Sequence, residues 1–163
     1  MGAEPVRVLF VCLGNICRSP MSEGLMRSLA DARGLGDRVS CDSAGTAAYH
    51  LGKPADARTL ALLRSRGIAY HGRARQVRSG DFDRFDWILA MDHSNMDALM
   101  RLCPPSLHGR IRLVLEPTTG GAVQDPYYGG EDGFGRNADE LVPALNKWLD
   151  QWFGSSASTS PPC

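Results

Sequence analysis

The segment Val6–Pro20 reads VRVLFVCLGNICRSP. Val6 to Val11 is apolar, rich in β-branched residues and short enough for one buried strand. Cys12 follows at its carboxyl end, and Arg18 comes six positions later. Ser19 is a favourable helix N-cap, and Pro20 is the residue best tolerated at the first helical position. A strand, a loop and a helix start, with a thiol at one end and a guanidinium at the other, make a container for an oxyanion. Gly14 permits a positive φ in the loop, and Asn15 is among the few other residues tolerated in the left-handed region. Backbone N–H groups of Leu13, Gly14, Asn15, Ile16 and Cys17, turned inward, would form a nest for phosphate oxygens. A helix N-terminus and a nearby cation both favour a thiolate at Cys12.

The rest of the chain supplies the frame. Val39 to Ser43, Trp87 to Met91 and Ile111 to Leu115 read as further strands. Between them, helical spacing recurs at Met21, Leu25, Met26 and Leu29, stopped by Gly34 and Gly36. A second helix starts at a cap on Asp56 and ends at Gly67; a third runs from His93 to Leu102 before Pro104-Pro105. Leu141, Leu145, Trp148, Leu149 and Trp152 form the apolar stripe of a last helix. This alternation predicts a single-domain α/β fold: a four-stranded parallel sheet near 6–11, 38–43, 87–91 and 111–115, flanked by helices on both faces. Residues 1–153 are expected to form the domain and 154–163 a disordered tail. Ligands of such sheets bind beyond the carboxyl ends of the strands, where Cys12, Ser43, Asp92 and the Asp125 segment converge.

Composition narrows the partners. The chain has 163 residues, with 18 Lys+Arg against 18 Asp+Glu, so no global charge points to nucleic acid or an anionic membrane. No apolar run approaches a membrane span, and no leader pattern is evident, so the cytoplasm is expected. The odd count of five cysteines (12, 17, 41, 103 and 163) lacks framework spacing and fits a reducing compartment. No His/Cys cluster has metal-ligand spacing, and no cofactor is expected. The loop from Glu116 to Gly135 is long for a compact domain and carries Asp125-Pro126-Tyr127-Tyr128. The glycines at 129, 130, 133 and 135 read as loop flexibility, and the basic run of Arg73, Arg75 and Arg78 reads as a solvated face. Asp92 reads as a helix cap.

CLGNICRSP resembles the phosphate loop of the low-molecular-weight protein tyrosine phosphatases. DSAGT (42–46), ARQV (74–77), FDWILAMDHSN (85–95) and DPYYG (125–129) stand in that family's order and spacing. The resemblance implies a metal-independent hydrolase acting on phosphotyrosine proteins as a monomer, with inorganic phosphate as product and competitive ligand. It implies Cys12 as nucleophile, forming a phosphocysteine, Arg18 as phosphate clamp and Asp125 as general acid and base. Ser19 would stabilise the thiolate, Asn15 and Ser43 would hold the loop in shape, and Tyr49, Tyr127 and Tyr128 would line the cleft. Cys17 has two readings, a packing residue or the partner in a reversible disulfide with Cys12 that shelters the nucleophile. The family often has a histidine where this chain has Gly72; His71, one residue earlier, is expected to face solvent. Two rival readings are a thioredoxin-coupled arsenate reductase and a non-catalytic anion-binding module. The first needs further cysteines on a mobile segment, and residues 42–102 hold none; the second fits poorly with both Cys12 and Asp125 present.

Overall fold

The structure, a computed structural model, describes residues 4–127, 129 and 131–154. Its strands are β1 (Val6–Cys12), β2 (Val39–Gly45), β3 (Trp87–Ala90) and β4 (Ile111–Leu113). The helices are α1 (Arg18–Ala32), α2 (Ala57–Ser65), α3 (Asp81–Arg84), α4 (His93–Leu102) and α5 (Glu131–Phe153), with a 3₁₀ segment at Pro105–Arg110. All strand pairs are parallel and the order is β2-β1-β3-β4. The four-stranded parallel sheet predicted from the sequence is therefore the one observed.

The period-2 alternation of β1 explains how the sheet is covered. Val8 and Phe10 point into one core with Met21, Met26, Leu63, Leu141, Leu145 and Trp148, contributed by α1, α2 and α5. Leu9 and Val11 point into the opposite core with Phe82, Phe85 and Leu99, contributed by α3, its flank and α4. Trp148 is fully buried, and its indole N–H donates to the Val114 carbonyl at 2.8 Å, tying α5 to the chain leaving β4. Trp152 stacks on Trp148 but is only half-buried. The connection from β1 runs to β2 on one side of it, and the next crosses back over β1 to β3 on the other. That reversal places the carboxyl end of β1, and hence Cys12, at the point where such sheets hold ligands.

Several local expectations are corrected. The first helix begins at Arg18, with Cys17 as its N-cap and no side-chain cap, so Ser19 lies inside the first turn. The Ser19 hydroxyl is instead turned to Cys12 Sγ. The positive φ of the loop falls on Asn15 (φ 60), the one non-glycine residue with a positive φ among those described, and not on Gly14. Helix α5 begins at Glu131, well before the apolar stripe, so the loop after β4 is shorter than 116–135. Gly133 and Gly135 are helical; a Cβ on Gly133 would lie 3.3 Å from Pro126 Cβ, so close packing accounts for Gly133. The Asp56 and Asp92 caps appear as expected, accepting from Arg58 N and Asn95 N respectively. The expected tail and Tyr128 fall outside the described residues, apart from Gly154.

Candidate active site

The β1–α1 connection is held from behind by a directed set of hydrogen bonds. The Asn15 backbone N–H donates to Cys12 Sγ at 3.3 Å, and the Ser19 hydroxyl lies 3.1 Å from the same sulfur. Asn15 Nδ2 donates to both Ser19 Oγ (2.8 Å) and Ser43 Oγ (3.0 Å). Its Oδ1 accepts from the backbone N–H of Arg75 at 2.9 Å, which fixes the orientation of the amide, because a backbone N–H only donates. Asn15, Ser19 and Ser43 are all buried. A left-handed Asn15 is thus repaid by three side-chain bonds spanning α1, β2 and the segment before α3. Gly45, at the end of β2, allows the loop to lie against it: a Cβ there would stand 2.7 Å from Leu13 O.

Arg18 is buried, with its side chain 3% exposed. One terminal nitrogen donates to Asp92 Oδ2 at 2.7 Å and to the Val123 carbonyl at 2.9 Å. The other lies 3.6 Å from Asp125 Oδ2. Asp92 therefore does two jobs, one oxygen capping α4 and the other orienting Arg18. Only the first was anticipated. A buried guanidinium needs such partners to offset lost hydration.

Asp125 is partly exposed, and its Oδ1 accepts from Tyr127 N at 3.0 Å, the turn expected of an Asp-Pro segment. Arg58 fastens this segment to α2. Its guanidinium grips Asp56 (2.9 and 3.0 Å), donates to the carbonyls of Tyr127 (3.1 Å) and Gly129 (3.2 Å), and lies over the rings of Tyr127 and Phe134. The bond from Arg58 is the largest of the influences that hold the Asp56 carboxyl below its ordinary range.

These groups open on one cavity of about 100 Å³, lined by Cys12, Leu13, Gly14, Ile16, Cys17, Arg18, Tyr49, His50, Asp125 and Tyr127. Tyr49 is exposed at its mouth, with the His50 ring edge-on to it at 6.4 Å and tilted against Tyr127 at 6.2 Å. His50 was not singled out from the sequence, nor was the reason for Gly14: a Cβ there would stand 2.8 Å from His50 Cδ2. Cys17 is buried, and burial, reinforced by Asp56, pushes its thiol up to about 12. Arg75 is no solvated cation. It bridges Asp42 (3.1 Å) and the fully buried Asp81 (3.0 Å), while Arg73 and Arg78 are exposed. His71 is exposed, as expected. Among the described residues, no cluster of three His, Cys, Asp or Glu side chains could hold a metal ion, and no helix is long and apolar enough to cross a membrane.

A cysteine and a buried arginine around a strand-to-helix loop, with a carboxylate across the cavity, define a site of the cysteine-phosphatase class. The comparisons give the family. Residues 7–156 match the model for low molecular weight phosphotyrosine protein phosphatase. The Schizosaccharomyces pombe low molecular weight phosphotyrosine protein phosphatase is 46% identical over 148 residues, covering 88% of this chain and 95% of its own. The Streptomyces coelicolor low molecular weight protein-tyrosine-phosphatase is 45% identical over 149 residues, covering 88% and 90%. A crystal structure of a protein tyrosine phosphatase from Entamoeba histolytica superposes with a TM-score of 0.87 at 41% identity, covering 90% of this chain and 96% of that one. The chain belongs to the low molecular weight phosphotyrosine protein phosphatase family, and it is a protein tyrosine phosphatase.

Proposed function

We propose that residues 1–153 hydrolyse phosphotyrosine in proteins, and small aryl phosphates, through a phosphocysteine on Cys12. The reading is carried by the meeting of Cys12, Arg18 and Asp125 around one cavity. The thiolate of Cys12 attacks phosphorus while the phosphorus–phenolate bond breaks, and the protonated Asp125 carboxyl passes its proton to the leaving oxygen. The resulting Asp125 carboxylate then takes a proton from water as that water attacks phosphorus. The sulfur–phosphorus bond breaks, returning the thiolate and releasing inorganic phosphate.

Arg18 and the N–H groups of Leu13, Gly14, Asn15, Ile16 and Cys17 hold the phosphoryl oxygens as charge redistributes. The Ser19 hydroxyl donates to the sulfur and makes it the better leaving group, while Asn15 and Ser43 keep the loop in shape. Tyr49 and Tyr127 flank the aryl ring. Cys17 is the redox partner: Cys12 sulfenic acid, formed by peroxide, condenses with the Cys17 thiol to a disulfide and water. The protein acts as a cytoplasmic monomer on phosphotyrosine proteins, and inorganic phosphate competes with them.

The test is turnover of p-nitrophenyl phosphate by the wild type and Cys12→Ser. Activity confined to the wild type is expected; equal rates would remove Cys12 from the chemistry.

A further inference from the structure

Behind the loop, the hydrogen-bond chain does not stop at Ser43. The Ser43 hydroxyl donates to Glu23 Oε1 at 2.7 Å, and the Tyr70 hydroxyl donates to the same oxygen at 2.7 Å. Glu23 projects from α1 and is 3% exposed. Its other oxygen pairs with Arg27, and Asp42 and Cys41 of β2 are the remaining titratable neighbours. The segment carrying Tyr70 reaches this place because residue 72 has no side chain. A Cβ on Gly72 would overlap the Tyr70 hydroxyl and stand 2.7 Å from Cζ.

The direction of donation along this chain matters. Asn15 Nδ2 has two hydrogens, one for Ser19 Oγ and one for Ser43 Oγ. Ser43 accepts only while its own hydrogen points elsewhere, and it points at Glu23. With Asn15 donating into Ser19, the Ser19 hydrogen is left for the Cys12 sulfur at 3.1 Å; its alternative, the Ala44 carbonyl, is 3.5 Å away. An ionised Glu23 accepts and never donates, so it holds Ser43 as a donor towards it and leaves the Ser43 oxygen to receive the Asn15 amide, whose sense is already fixed by the Arg75 N–H. Burial pushes the Glu23 carboxyl up towards its neutral form, and the strongest influence opposing it is the Tyr70 hydroxyl. Tyr70 is itself driven well above the ordinary phenol range by burial and by Glu23, so it remains a donor.

We propose that Tyr70 is a positioning residue for the Cys12 loop: its hydroxyl and that of Ser43 share Glu23 Oε1, which anchors Ser43 where it receives the Asn15 amide, and the amide in turn holds Ser19 in place against the Cys12 sulfur. Gly72 is the residue that admits it. The proposal rests on the reading of Cys12 as nucleophile and adds a residue that touches neither substrate nor sulfur.

Tyr70→Phe removes one oxygen and keeps the ring, so the core is undisturbed. For this variant, kcat on p-nitrophenyl phosphate is expected to fall about three- to ten-fold, the range of one lost hydrogen bond, with KM nearly unchanged. The pH profile of inactivation by iodoacetate is expected to move upward by about half a unit. Gly72→Ala, which displaces the ring, is expected to move both readouts the same way. A wild-type kcat and a wild-type pH profile for Tyr70→Phe overturn the proposal, even if Tm falls, because a merely structural role lowers Tm alone. Cys12→Ser, measured beside them, separates the two claims: if it turns over, the nucleophile is misassigned, whereas if it is inert the Tyr70 result stands by itself.

Discussion

The two walls of the cavity are built in different ways. The Cys12 wall is a loop whose side chains point backwards into a buried network, so that Asn15, Ser19, Ser43 and Glu23 spend their hydrogen bonds on one another. The Asp125 wall is partly exposed, and Arg58 gathers its backbone from outside. Phosphate binding requires donors fixed before the substrate arrives, since reorganising them at the moment of reaction would cost rate. A proton donor has a looser requirement: it must reach a leaving oxygen whose position varies with the substrate. Rigidity on one side and reach on the other follow from those needs.

If that division is right, damage to the two walls should differ in kind. Asp125→Asn is expected to lower kcat/KM, which reports the first step alone, by ~10²–10⁴ for phenyl phosphate and far less for p-nitrophenyl phosphate, whose phenolate leaves without help. Equal losses on both esters would mean that the proton comes from elsewhere. Arg18→Lys keeps the charge but loses the planar fork, and should cost about 100- to 1,000-fold whichever ester is used. A loss that depended on the leaving group would place Arg18 with the acid.

Arg58→Gln should release the Asp125 segment without touching the Cys12 loop. The expectation is about a ten-fold loss on phenyl phosphate with the iodoacetate reactivity of Cys12 retained, since hydrogen bonds to a charged donor are the ones lost. Retention of full activity would show that the Pro126 turn holds the acid unaided. The smallest effect concerns stability. The folded state lowers the Asp56 carboxyl from its ordinary value of 3.8, chiefly through Arg58, so Asp56 stabilises the fold at pH above that value. The contribution is lost as pH falls through the lowered folded value. Asp56→Ala, which also removes the α2 cap, is expected to cost about 1 kcal/mol in urea titration at pH 7 and much less near pH 2. An equal cost at both pH values would mean that the carboxylate charge is irrelevant.

The contrast also explains what could be read from the chain. The Cys12 wall is local in sequence: a β-branched run, a thiol, Asn15 and Arg18 are separated by few residues, and short-range chemistry dictates their arrangement. The alternation of strands and helices was equally legible, because period 2 and period 3.6 are local signals. What was missed joins distant residues. Asp92 meets Arg18 across 74 positions, Arg75 meets Asn15 across 60, and Arg58 meets the Tyr127 carbonyl across 69. Each looks like an ordinary surface charge or cap until the fold brings its partner near. Gly133 and Gly135 misled for a related reason: local propensity disfavours them in a helix, yet the packing of Gly133 on Pro126 keeps it there.

The central claim is that the buried thiol of Cys12 carries the phosphoryl group between the two steps. Rapid acid quenching during turnover of p-nitrophenyl phosphate, followed by peptide mass spectrometry, addresses it directly. The account predicts one phosphoryl group on Cys12, absent from the Cys12→Ser variant. A phosphoryl group on any other residue, or turnover by Cys12→Ser, would contradict it.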